Sequence, residues 1–161
     1  MDWLVAPVNT LIGAVIGVGS TLLADRFRWR RERQAQDRDS RRQAYAAFMG
    51  ALSDVYSRLH ETARATRPPE ETSTAAHEIF TAAQLYPLRY ELALIAPWDV
   101  MDPTNEAFWR ARDLRDTVAS GAGPDTPQFR THVGAYLKAT EKAQTAMRRD
   151  LGTPWPERDG G

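Results

Sequence analysis

Residues 41–60 read RRQAYAAFMGALSDVYSRLH, in which Tyr45, Phe48, Leu52, Val55 and Leu59 recur at intervals of 3, 4, 3 and 4. Side chains at that spacing share one stripe of an α-helix, so the segment predicts a helix with a single apolar seam. From Asp25 to Arg67 only Gly50 interrupts residues that extend a helix well. Pro68-Pro69 closes the run, because the residue before a proline is pushed out of the helical region and proline has no amide hydrogen to donate. Residues 67–73 read as a polar linker. A seam of this kind needs partners, and the rest of the chain supplies them.

Ser73 or Thr74 is a candidate cap for a second helix containing Ile79, Phe80, Ala83, Leu85, Tyr86, Tyr90, Leu92, Leu94 and Ile95. Pro87 either kinks this helix or divides it, and Pro97 stops it. A third helix begins between Trp98 and Thr104, with Asp102-Pro103 as the expected break and Thr104 and Asn105 as cap candidates. Ala107, Ala111, Leu114 and Val118 form its inward stripe, which Phe108 and Trp109 widen. The turn-forming run SGAGPDTP over residues 120–127 is a loop, and Thr126-Pro127 reads as a cap with proline in the first turn. A fourth helix carries Phe129, Val133, Tyr136, Leu137, Thr140, Ala143, Met147 and Leu151, and ends at Gly152. No segment alternates like a strand. The expected fold is all-α: one N-terminal transmembrane helix continuing into a cytosolic antiparallel four-helix bundle.

Upstream of the seam, residues 25–42 carry eight arginines against four acidic residues, whereas residues 43–161 hold thirteen basic and sixteen acidic ones. The neutral total of 21 basic and 21 acidic side chains therefore conceals a basic collar on a mildly acidic body. Pairs at i, i+4 within the collar, Arg28 with Glu32, Arg33 with Asp37 and Asp37 with Arg41, neutralise part of it. Before the collar, Trp3 to Ala24 (WLVAPVNTLIGAVIGVGSTLLA) is a stretch of 22 residues without an ionisable side chain. At about 1.5 Å per residue such a helix is ~33 Å long, enough for a hydrocarbon layer ~30 Å thick. Trp3 at one end, with Phe27 and Trp29 at the other, sets aromatic rings at both headgroup zones. The start Met1-Asp2-Trp3 lacks the basic residues of a signal peptide, and Leu22 spoils a small-x-small cleavage site before Ala24.

The expected organisation is thus a transmembrane anchor over residues 1–24, an Arg-rich juxtamembrane helix over 25–42, a bundle over 43–152 and a flexible tail over 153–161. Arg26, Arg28, Arg30, Arg31 and Arg33 beside the span hold the body on the cytoplasmic side of the plasma membrane, N-terminus outside, and suit anionic lipid. Thr10, Gly13, Gly17, Ser20 and Ala24 form a stripe of small residues at 3, 4, 3 and 4, with Gly13 and Gly17 as a GxxxG. Such a stripe lets two membrane helices approach closely, which points to a homodimer through the span. The Tyr45–Leu59 seam could continue that pairing as a coiled coil, but the other helices need it as the inner face of the bundle.

Chemistry-bearing motifs are sparse. The chain has no cysteine, which excludes disulfides, thiolate metal sites and a cysteine nucleophile. His60, His77 and His132 fall on separate helices without a metal-ligand partner at i+3 or i+4. Asp99, Asp102 and Glu106 complement a helix N-terminus, and Asp113 and Asp116 among Arg110, Arg112 and Arg115 read as a salt-bridging solvated face. No GxSxG, SxxK or Gly-rich phosphate loop occurs. Neither a catalytic residue nor a metal or cofactor is expected.

The succession of a GxxxG span, an RFRWRRER collar, RRQAYAAFMGAL and LALIAPWDV resembles a group of small single-span membrane proteins of high-GC actinobacteria. Nineteen arginines against two lysines agree with a GC-rich genome. The resemblance implies a membrane location and no particular activity. It also links the chain to similar proteins labelled as plasmid-spread factors. The leading expectation is a membrane-anchored interaction or scaffold module with a protein partner in the cytosol. One alternative is a plasmid or mobile-element accessory protein whose collar contacts nucleic acid or anionic lipid, and another is a membrane-tethered enzyme. The nucleic-acid alternative predicts DNA retention that survives deletion of residues 1–24 and falls steeply with salt in a filter-binding assay, whereas the anchor reading predicts none.

Overall fold

The seam lies in α1 (Val5–Arg64), which is followed by α2 (Pro69–Ala82), α3 (Leu85–Ile95), α4 (Trp98–Ala119) and α5 (Pro127–Asp150). In this computed structural model the described backbone covers residues 5–153, with side chains described at Trp29 and from residue 33 to residue 153. All five elements among the described residues are helices, so the fold is all-α. The chain divides between Ser40 and Arg41 into two units, the second of which holds the core.

Within that second unit the helices alternate in direction. Arg41 and Tyr45 meet Asp150, Leu52 meets Tyr136, and His60 meets Phe129, so rising numbers on α1 face falling numbers on α5. The same reasoning makes α4 antiparallel to α3, where Tyr86 lies against Phe108 and Arg89 against Asn105. Lys142 with Glu106 does so for α4 and α5. With α2 and α3 forming one broken arm, this is an up-down-up-down bundle.

Tyr45, Phe48, Leu52, Val55 and Leu59 are all buried, together with Ile79, Phe80, Leu85, Leu92, Phe108, Leu114, Tyr136 and Met147 from the other helices. The seam is therefore the inner face of the bundle and has no surface left for a coiled coil. Two ends follow the expected chemistry. Thr126 caps α5, its hydroxyl accepting from the Phe129 amide at 3.3 Å ahead of Pro127. Gly152, at φ 70°, turns the chain after α5 so that the Thr153 amide donates to the Arg148 carbonyl at 2.8 Å. This reversal needs a left-handed residue, which glycine supplies at least cost.

Four local expectations are corrected. α2 starts at Pro69, not after Ser73, because a proline at the first helical position loses no bond and Glu70 and Glu71 then sit at the positive end of the helix. The second helix divides, but before Pro87. Gln84 takes the left-handed conformation at φ 55° and leaves Pro87 third in α3, where its missing amide hydrogen would have had no partner. Pro103 does not break α4, which runs unbroken through it. An interior proline costs about 3 kcal/mol, but Val100, Met101, Thr104 and Ala107 are buried around it, and full burial of one such apolar side chain returns about 1.5–3 kcal/mol. Trp109 and Leu137, expected to face inward, are about half exposed at 46% and 49%.

Among the described residues no helix is long and apolar enough to cross a membrane. The side chains of the candidate span, including Thr10, Gly13, Gly17, Ser20 and Ala24, lie outside the described residues, as does the tail over 154–161.

Leu52→Ala removes a fully buried side chain and is expected to destabilise the fold by about 2–5 kcal/mol in urea unfolding. Gln84→Gly relieves a left-handed non-glycine residue and is expected to stabilise it by about 1 kcal/mol in the same measurement.

Candidate interaction surface

α3 is apolar on two sides. At 100° per residue Leu85 and Leu92 point one way, into the core, while Tyr90 and Leu94 lie on the other side. Tyr90 is 62% exposed and Leu94 86%, values at which packing within the bundle does not account for them. The start of α4 adds Trp98, 77% exposed after Pro97 has turned the chain. Trp109 follows on the same helix, its ring 5.1 Å edge-on from the buried Phe108, and Tyr86 stands 4.8 Å from Phe108 on the other side. An aromatic and aliphatic surface thus runs along α3 and α4.

Arginines are set into it. The Arg89 guanidinium lies 5.0 Å from the ring centres of both Tyr90 and Phe108, and its Nη1 donates to the Asn105 side-chain oxygen at 3.0 Å. Arg112 stands 5.5 Å from the Trp109 ring. Both are cation–π contacts, which fix a guanidinium without neutralising it. Neither arginine takes part in an ion pair among the described residues. This differs from the neighbouring acidic and basic residues of α4. There Arg110 pairs with Asp113 at 3.1 Å and Arg115 with Asp116, forming the expected salt-bridging face.

Two further polar clusters lie elsewhere and hold the bundle together. Arg41 Nη1 donates to both carboxylate oxygens of Asp150 at 2.9 and 3.0 Å, and the Tyr45 hydroxyl donates to the same carboxylate at 2.8 Å. Arg41 thus takes Asp150 in place of the expected Asp37, because a partly buried carboxylate that also accepts from Tyr45 is the stronger partner. Burial, the bond to Asp150 and the nearby negative charge push the Tyr45 phenol well above its ordinary value. The Tyr136 hydroxyl donates to the Leu52 carbonyl at 2.7 Å, and burial pushes its phenol up to about 12.

Of the residues singled out from sequence, Trp29 is 63% exposed and the Arg33 guanidinium lies 5.2 Å over its ring, in place of the expected pairing with Asp37. The side chains of Trp3, Phe27, Arg26, Arg28, Arg30 and Arg31 lie outside those described. His60 sits between the Tyr56 and Phe129 rings, and the His77 ring nitrogen Nδ1 lies 2.8 Å from the Ser73 carbonyl oxygen. Among the described residues no three of His, Asp and Glu gather as metal ligands. The α3–α4 surface was not foreseen as a surface. Its signal is present in the sequence, since Tyr90 and Leu94 stand four residues apart on the side away from Leu85 and Leu92, with Trp98 following on α4.

No protein family, curated protein or solved structure matches the chain.

Because the folded state holds Tyr45 and Tyr136 protonated above the ordinary phenol value, their contribution to stability is complete below about pH 10 and is lost as the pH rises through the raised values. Urea unfolding between pH 8 and 11 is therefore expected to show stability falling above about pH 10. The double variant Tyr45→Phe/Tyr136→Phe, less stable at pH 8, is expected to have the flatter slope.

Proposed function

We propose that the protein is a single-pass plasma-membrane protein, N-terminus outside, whose cytosolic helical bundle serves as an interaction or scaffold module. The observation that carries this reading is the run of 22 residues from Trp3 to Ala24 without an ionisable group, followed at once by eight arginines within residues 25–42. A chain of that character is stable in hydrocarbon as a helix, and arginines at one end resist transfer across the membrane. The bundle's α3–α4 surface supports the second half of the reading. Exposed tryptophan, tyrosine and arginine are the residues on which protein contacts most often depend. In this reading the bundle acts by holding a partner and carries out no chemistry of its own, and the stripe from Thr10 to Ala24 draws two spans together.

Fractionation tests the anchor. The full chain is expected to stay with the membrane pellet after alkaline carbonate extraction, and a chain lacking residues 1–24 to move to the supernatant. Recovery of the full chain in the supernatant overturns the reading. Orientation is read from the cysteine-free background. With Asp2→Cys a membrane-impermeant maleimide is expected to label intact cells, and with Ser53→Cys only lysed ones. The reverse pattern overturns the assignment of sides.

A further inference from the structure

We propose that residues 154–161 dock on the outer face of α3 and the start of α4 in the same chain, with the Trp155 ring set against Trp98 and the residues after it lying over Leu94. The inference rests on reading the bundle as an interaction module and names what covers the module's surface until a partner displaces it. At 100° per residue Tyr86, Tyr90, Ala93 and Leu94 share the outward arc of α3, and no charged residue falls within it. Tyr90, Leu94 and Trp98 are each more than 60% exposed. An apolar arc of that kind gains by being covered.

Position supplies the occupant. Asp99 and Pro103 of α4 line one depression with Thr145, Ala146 and Arg149 of α5, so the start of α4 and the end of α5 lie at the same end of the bundle. Trp98 immediately precedes that depression on α4. Gly152, at φ 70°, turns the chain off the axis of α5, and Thr153 is the last residue described. The axes of packed helices stand about 8–10 Å apart, and the eight residues from Pro154 to Gly161 extend to about 26 Å. That length carries them from the end of α5 past Trp98 and on over Leu94.

The chemistry of the segment fits the face. Residues 154–161 read PWPERDGG, with Trp155 between two prolines. Proline restricts its own backbone and that of the residue before it to extended conformations, and a segment restricted in this way docks on exposed aromatic side chains at little cost in ordering. Glu157 follows Trp155 by two residues, about 6 Å of extended chain. Arg89 precedes Leu94 by five, about 7.5 Å of helix. A carboxylate of the segment thus comes within reach of the guanidinium that stands 5.0 Å from the Tyr90 and Phe108 ring centres. Tethering holds the segment at an effective concentration on the order of millimolar, far above that of a second copy arriving from solution.

The chain has no cysteine, so a pair of introduced thiols reports the contact. Full-length protein in nonionic detergent carries Gly160→Cys together with Ala93→Cys beside Leu94, or together with Ala46→Cys. Ala46 is exposed on α1 next to Tyr45, which bonds Asp150, and so stands beside the end of α5 but away from the face. A short bis-maleimide is expected to join Gly160→Cys to Ala93→Cys within one chain at least tenfold faster than to Ala46→Cys. Adding Trp155→Ala or Leu94→Asp is expected to abolish the difference, with the helical circular-dichroism spectrum unchanged. Equal rates for the two pairs overturn the proposal, as does a difference that Trp155→Ala leaves intact. Cross-links that join two chains, at a rate rising with protein concentration, overturn it in favour of a second copy on the face. Residues 1–24 take no part in the contact. A chain that stays in the carbonate-washed membrane but shows equal rates therefore sinks this inference alone, and one that shows the difference but moves to the supernatant sinks the anchor alone.

Discussion

The strip of side chains on α1 from Tyr45 to Leu59 belongs to the one buried core into which every helix of the bundle sends side chains. That strip is fully withdrawn from water. Burying each large apolar residue of it is worth about 1.5–3 kcal/mol, which exceeds the propensity of any single helix to form by itself. The other elements answer to it. Phe129 brings α5 against His60 at the end of the strip, and the Tyr136 hydroxyl fixes the register at its middle on the Leu52 carbonyl. At the far end of α5 the carboxylate of Asp150 accepts from both Arg41 and Tyr45. A non-directional force sets how much is buried, and two directional contacts set which residue faces which.

That division explains what could be read in advance. Burial follows periodicity, so the seam of α1, the stripe Ala107, Ala111, Leu114 and Val118, and the cap at Thr126 were legible from spacing and local chemistry. Proline was less legible, because its effect depends on position within a turn and on what surrounds it. Pro87 is harmless as the third residue of α3, and Pro103 is overridden by the buried residues on both sides of it. Gln84 gave no sign of the left-handed turn it makes, since nothing local in glutamine favours that conformation.

The exposed α3–α4 surface was hidden for a different reason. Spacing shows which side chains share a face, but not which of two apolar faces a neighbouring helix will cover. α3 has Leu85 and Leu92 on one side and Tyr90 and Leu94 on another, and sequence alone treats both as core. The same limit applies to Trp109 beside Phe108, where adjacent aromatic residues on α4 end up on opposite sides of the boundary with solvent. Long-range ion pairs are equally silent in sequence. Arg41 has an acid four residues before it and takes one more than a hundred residues away.

The arginines on this surface show how an exposed apolar patch can also carry charge. A guanidinium stacked on a ring shields part of the ring from water and keeps its own charge. Apolar area alone would accept any greasy partner. Unpaired charges among the rings impose a cost on a partner that leaves them without a counter-charge, because a charge taken out of water unpaired is destabilising by several kcal/mol in order of magnitude. Arg89 and Arg112 therefore place a condition on anything that covers the rings, which is to offer them a counter-charge.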